Sequence, residues 1–165
     1  MSRTITIDIF NPASIDAAVK EIRDYANWVK RKTAELARRL ADMGAVNVSL
    51  GYSRAVYTGG NDISVTVEQQ GENSYAIIAN GEAVLFVEFG AGVTYGYGHP
   101  QPSVDGTPMG PGTYPSEKGH WNDPNGWWIP GGEHTYGNPP SMTMYLTAKE
   151  LRNQLEDIAR EVFSS

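Results

Sequence analysis

The chain has 165 residues, 13 Lys and Arg against 19 Asp and Glu, a formal charge of −6 and no cysteine. That length fits one domain with a core of its own; the missing cysteines exclude disulfide scaffolds, Cys-ligated zinc and thiol catalysis, and the acidic total argues against a surface that binds nucleic acid throughout. The longest apolar run, residues 83–87, is far short of the roughly 20 residues of a membrane-spanning helix, and residues 1–10 alternate apolar and polar types unlike a secretory leader, so the expectation is a chain made in the cytoplasm with no membrane partner.

Residues 11–44 read as one long helix that begins at Pro12 to Ser14 and stops at Gly44, a residue able to close a helix with positive φ. Its apolar stripe is Ile15, Val19, Ile22, Ala26, Val29, Leu36, Leu40 and Met43, interrupted only by Thr33, at alternating spacings of four and three. At 1.5 Å per residue such a helix is about 45 Å long, so part of it is expected to overhang a small domain. The stripe reads as an intramolecular seam rather than a free coiled coil, because a β-rich region follows for it to cover. Seven of the 13 cations fall between Lys20 and Arg39 against three acids, a local charge of +4. Arg23, Lys30, Arg31 and Arg38 recur at near-heptad spacing and predict a basic stripe: a solvated face, or a contact with an acidic neighbouring subunit or DNA phosphates.

Residues 45–80 switch to a period of two and predict an antiparallel meander of three strands. Val46, Val48 and Leu50 mark the first, Ile63, Val65 and Val67 the second, and residues 74–79 the third. Gly59-Gly60-Asn61-Asp62 and Gly71-Glu72-Asn73 supply the turns. Residues 82–89 then read as a fourth strand or a two-turn helix; the helix is favoured because Ala83, Phe86 and Val87 share a face and Gly90 sits where a C-terminal stop would.

Residues 94–140 carry ten Gly, nine of the ten Pro, all three His and three of the four Trp. Nothing so rich in Gly and Pro holds an uninterrupted helix or a central strand, yet disordered linkers are poor in aromatics, so an extended arm that packs on something is expected. His99, His120 and His134, with Asp105, Glu117, Asp123 or Glu133, invite a zinc reading, but their spacing matches no metal-binding pattern and no metal or cofactor is expected. Gly96-Tyr97-Gly98 and Gly110-Pro111-Gly112 lack the strand, helix and Lys-Ser/Thr context of a phosphate loop. Glu82 and Glu88 read as one exposed and one structural carboxylate rather than an acid/base pair. Trp121, Trp127, Trp128 and Tyr136 fit the centre of a protein interface, or, with Asn122, Asp123 and Asn125, a sugar-stacking platform. A second long helix, from Pro139 or Pro140 to Phe163, carries Met144, Leu151, Leu155, Ile158 and Val162 on its apolar face. The fold expected is α+β: two helices packed on a small antiparallel sheet, with a long Gly/Pro/aromatic arm.

This order of elements, with Phe86-Val87-Glu88-Phe89-Gly90-Ala91-Gly92 before the arm and Gly137-Asn138-Pro139-Pro140-Ser141-Met142 at the last helix entry, resembles the tail-completion, or head-to-tail joining, family of long-tailed bacteriophages. Ala91 stands where that family commonly has Thr, and Met144-Tyr145 where Pro-Phe is common. The resemblance implies a structural virion protein with no catalytic role, made in the host cytoplasm and placed at the neck/tail junction. It implies a homo-oligomeric ring, sixfold where it meets the tail, with neck or connector proteins and tail terminator or tail tube proteins as partners and DNA passing through transiently. Glu88, Phe89, Trp121, Trp127, Trp128 and Tyr136 are the expected interface residues; Glu88 reads either as an interface or buried carboxylate accepting backbone amides at the start of the arm, or as an ordinary fold contact. The competing class is a carbohydrate-binding module or small hydrolase using the aromatic loop 114–136.

Overall fold

A computed structural model describes residues 4–57, 61–92, 95, 123–128 and 132–164. In chain order these form helix α1 (Pro12–Ser53), strands β1 (Ser64–Gly71) and β2 (Ser74–Asn80), helix α2 (Val84–Phe89), the two-residue strands β3 (Trp127–Trp128) and β4 (His134–Thr135), and helix α3 (Thr143–Ser164). The fold is α+β, with α1 packed on a small antiparallel hairpin and α3 packed along α1.

Helix α1 starts as its sequence dictates, with Pro12 in the first turn and the Asn11 side chain accepting the Ala13 N–H at 3.1 Å. It does not stop at Gly44. It continues to Ser53, so residues 46–50 are helical and the expected three-stranded meander is a two-stranded hairpin. The short apolar alternation there divides between two helix faces: Gly44, Val48 and Tyr52, four apart, are buried, whereas Val46 and Leu50 are exposed. Gly44 serves close packing instead of termination, because a Cβ there would run into the end methyls of Ile77 and Leu151. Gly51 does the same at the point where Thr143, the first residue of α3, lies against α1.

Helix α3 runs antiparallel to α1, from Thr143 beside Gly51 past Leu151 beside Gly44 to Phe163, whose ring meets Trp28 edge-to-face at 5.6 Å. Arg39–Glu161 and Asn47–Glu150 pair across the seam. Buried Ile158 and Val162 come from the α3 face that its sequence period marked. Because α3 has 22 residues against 42 in α1, the N-terminal turns of α1 overhang. There Ile15, Val19, Ile22 and Tyr25 continue the core stripe with their side chains exposed.

The hairpin pairs Val65 with Ala79 and Val67 with Ile77, with a bulge between Gln69 and Gly71. Its half-buried Ile63, Val65, Ile77 and Ala79 close over a core of Val48, Tyr52, Ala83 and Val87. Asp62, just before β1, holds the turn that enters α2: its carboxylate accepts the Glu82 and Ala83 N–H groups at 2.7 and 3.0 Å. Those two bonds, Glu82 first, hold Asp62 below the usual carboxylate range. Helix α2 ends at Gly90, φ 78°, as its sequence indicates.

Two boundaries differ from expectation at the C-terminal helix and the arm. Pro139 and Pro140 precede α3, which begins only at Thr143, because the backbone there is first tied to the end of α2. Of the expected arm 94–140, the described end forms a β3–β4 pair, Trp127 opposite Thr135 and Trp128 opposite His134. Trp121, His99 and His120 lie outside the described residues.

Candidate assembly interface

Sequence reasoning singled out the segment ending α2, and its chemistry centres on Glu88. The side chain is buried, 4% exposed. Its Oε2 accepts the Tyr52 hydroxyl at 3.0 Å and the Met144 N–H at 3.0 Å, while Oε1 accepts the Tyr145 N–H at 3.2 Å. Met144 and Tyr145 are the second and third residues of α3, whose amides an N-cap side chain normally satisfies. Met142, in the cap position with φ 53°, has no oxygen to offer. A carboxylate from α2 therefore caps α3, at the end where the helix dipole favours negative charge.

The surrounding backbone is tied in the same way. Ser141 and Met142 donate to the carbonyls of Val87 and Glu88 at 2.8 and 3.1 Å, so the last carbonyls of α2 and the entry to α3 satisfy one another. Buried Asn138 donates through Nδ2 to the Phe86 carbonyl at 2.8 Å, and exchanges backbone bonds of 2.9 and 3.0 Å with Ala91. Gly137, φ 103°, has no room for a Cβ against the Ala91 carbonyl. Burial, then the neighbouring Glu88 charge and the hydrogen bond to it, push the Tyr52 hydroxyl far above the ordinary tyrosine range.

Of the readings for Glu88, the geometry is that of a buried carboxylate making a fold contact; the amides it accepts are at the start of α3, not at the start of the arm. Phe89 is half-buried beside it. Sequence reasoning missed Tyr52, because it falls just past residues read as a strand, and did not single out Asn138 within the motif it quoted. The signal available for the joint was a long helix preceded by Met142, with no capping side chain at that position.

The aromatic residues occupy a different surface. Trp128 is 69% exposed and Tyr136 is also exposed; both meet the His134 ring edge-to-face, with centroids 5.0 Å apart in each pair. Trp127, the neighbour of Trp128, is half-buried. A turn positions the strand: Asp123 accepts the Asn125 N–H through its side chain at 2.8 Å and the Gly126 N–H through its carbonyl at 3.1 Å. Perpendicular rings present edges and faces together, a geometry that fits mixed protein contacts at least as well as the flat face of a sugar.

The basic residues lie on a third surface. By helix angle Arg23 and Lys30 fall on one flank of the apolar stripe of α1, and Arg31 and Arg38 opposite it. Arg23, Lys30 and Arg31 are exposed and form no ion pair among the described residues; Arg38 makes a loose pair with Asp42 at 3.7 Å. By contrast, residues 55–117 contain no Lys or Arg at all. Asp62, Glu68, Glu72 and Glu82 are exposed there without a compensating cation. Among the described residues no group of three or more metal-ligating side chains is brought together, and no helix is long and apolar enough to cross a membrane.

Searches against protein-family models, curated proteins and solved structures found no match to this chain.

Proposed function

We propose that the chain is a structural virion protein that joins the head and neck to the tail of a long-tailed bacteriophage, assembling as a ring, sixfold, at the connector–tail interface. What supports this is the joint between the two motifs quoted for the resemblance. The segment around Glu88-Phe89-Gly90 and the helix entry around Asn138 are far apart in sequence, yet each completes the other's hydrogen bonding. The chain between them leaves and returns at one point of the core. In this reading Trp127, Trp128 and Tyr136 anchor contacts made by the arm. Arg23, Lys30, Arg31 and Arg38 face an acidic neighbour or DNA passing through the ring, and no residue has a catalytic or cofactor-binding role. The partners are further copies, connector proteins on the head side and tail terminator or tube proteins on the other.

The test is electron microscopy of lysates from a phage disrupted in this gene. DNA-filled heads and finished tails accumulating apart are expected; intact virions would sink the reading. The exposed pair Trp128 and Tyr136 around His134 favours the second reading, a carbohydrate-binding module or small hydrolase. It requires quenching of Trp fluorescence by polysaccharide or peptidoglycan, which the neck reading does not.

A further inference from the structure

Residues 4–9, Thr-Ile-Thr-Ile-Asp-Ile, have the alternation of a β-strand, and among the described residues no strand pairs with them. Their pattern matches Ser64-Val65-Thr66-Val67-Glu68 of β1 position for position, polar residues alternating with β-branched ones. Among the described residues, Thr4, Ile5, Thr6 and Ile7 make no hydrogen bond. Ile9 is 71% exposed and Phe10 90% exposed. Asp8 is tied into the entry of α1, its N–H donating to Ser14 Oγ at 2.9 Å and its carbonyl accepting from Asn11 at 3.1 Å, but the stretch before it would bury Ile5 and Ile7 by joining a sheet.

The sheet that could receive it is short of strands. The β1–β2 hairpin stands alone among the described residues, and a two-stranded sheet is marginal without further cover. Neither strand carries the Lys, Arg or Pro with which natural edges block pairing. Of the two, β1 has the open surface: its residues are exposed on one face and along its last turn, whereas Tyr75 to Ala79 of β2 are all half-buried.

The chain's own N-terminal segment cannot reach this edge where it is docked. Ile77, which pairs with Val67, lies against Gly44, and the helix rise from Pro12 to Gly44 is about 48 Å. Residues 4–11, fully extended, span at most about 29 Å. A third strand made by this segment would therefore belong to another copy. Charge does not make that choice: residues 4–24 carry Asp8, Asp16, Glu21 and Asp24 against Lys20 and Arg23, and the hairpin region is acidic too, so the contact rests on strand pairing and apolar burial, with the basic stretch of α1 beginning only at Lys30.

We infer that residues 4–7 of one copy add as a third strand to the outer edge of β1 in the next, with the exposed Ile15, Val19 and Ile22 of the overhanging helix following them into the contact. Donor and acceptor are different surfaces, so each copy can give and receive once, and the chain of contacts closes into a ring or runs on as a filament. The exchange is independent of the phage reading and holds whatever the assembly serves.

The test uses the full chain. Ile7→Pro removes a ladder N–H and bends the donor strand; Ile7 is exposed and outside the core, so the thermal melt of the monomer should not change. Sedimentation equilibrium should show self-association of the wild type, with a dissociation constant raised about tenfold or more by Ile7→Pro. Because the chain has no cysteine, Thr6→Cys and Thr66→Cys can be made as separate single-cysteine proteins and mixed under oxidation. A disulfide-linked heterodimer, in excess of either homodimer, is expected. A wild type that stays monomeric up to about 100 μM, an affinity unchanged by Ile7→Pro, or homodimers equal to the heterodimer would each overturn the exchange. Should exchange occur while gene-disrupted phage still join heads to tails, the exchange stands and the neck reading falls.

Discussion

Glu88 is the residue on which two elements depend, and its burial decides what its removal does. Glu88→Ala leaves the Tyr52 hydroxyl and two helix amides without that acceptor; charge-assisted bonds contribute about 1.5–3 kcal/mol each and are not additive, so a loss of about 3 kcal/mol is expected in urea unfolding. Glu88→Gln keeps one acceptor oxygen and should lose less. A melt unchanged by Glu88→Ala would show that the carboxylate does not cap α3. Tyr52 adds a pH dependence of known sign. Its folded-state proton is held well above the ordinary value, so the unfolded chain releases that proton first as pH rises past about 10. Stability from Tyr52 is thus present below about pH 10 and declines above it, and Tyr52→Phe should flatten the alkaline limb. Asp62 has the opposite sign. Its depressed pKa stabilises the fold at neutral pH and the contribution disappears as pH falls through the folded-state value; Asp62→Asn should flatten the acid limb of a pH series of melts.

At the scale of elements, what could be read from sequence was what is local. Helix α2 and its stop were legible because apolar positions and Gly90 lie within a few residues of one another. Helix α3 was legible from its period, and the hairpin from two alternating runs around Gly71-Glu72-Asn73. The extension of α1 through residues 46–50 was not, since alternation over five residues is also what two helix faces produce, and since a glycine that permits close packing looks the same in sequence as one that ends a helix. The Glu88 cap and the Asn138–Ala91 bridge were hidden for a different reason: they join residues separated by the whole arm, and no local pattern encodes them. The two packing glycines should respond unequally to Ala. At Gly44 the obstructing atoms are terminal methyls of Ile77 and Leu151, which can rotate aside, and Ala gains about 1 kcal/mol of helix propensity, so near-neutral stability is expected. At Gly51 the obstruction is the short, buried Thr143 side chain at the start of α3; overpacking there should cost about 1–3 kcal/mol in chemical unfolding. Equal effects at the two sites would mean that α3 yields at its start as easily as the methyls do.

Across the whole molecule, charge is segregated by element. The region from Lys20 to Arg39 sums to +4 in a chain of −6, and the hairpin with α2 holds no cation. A solvated basic face and a salt-sensitive contact make different predictions for self-association. Exposed charges attract through a Debye length that shrinks from about 10 Å at 0.1 M to about 3 Å at 1 M salt, whereas strand pairing and apolar burial persist in salt. If the basic stripe meets an acidic neighbour when copies exchange strands, the wild-type dissociation constant rises between 0.1 and 1 M NaCl but association does not vanish. The double variant Arg23→Gln, Lys30→Gln, whose side chains are exposed and away from the core, should associate more weakly at 0.1 M and show a flatter salt dependence. At 1 M salt it should approach the wild type, because only the uncharged part of the contact is then left in both. A salt dependence identical in the two proteins would assign the basic stripe to solvent and leave the strand and the apolar overhang to hold the copies together.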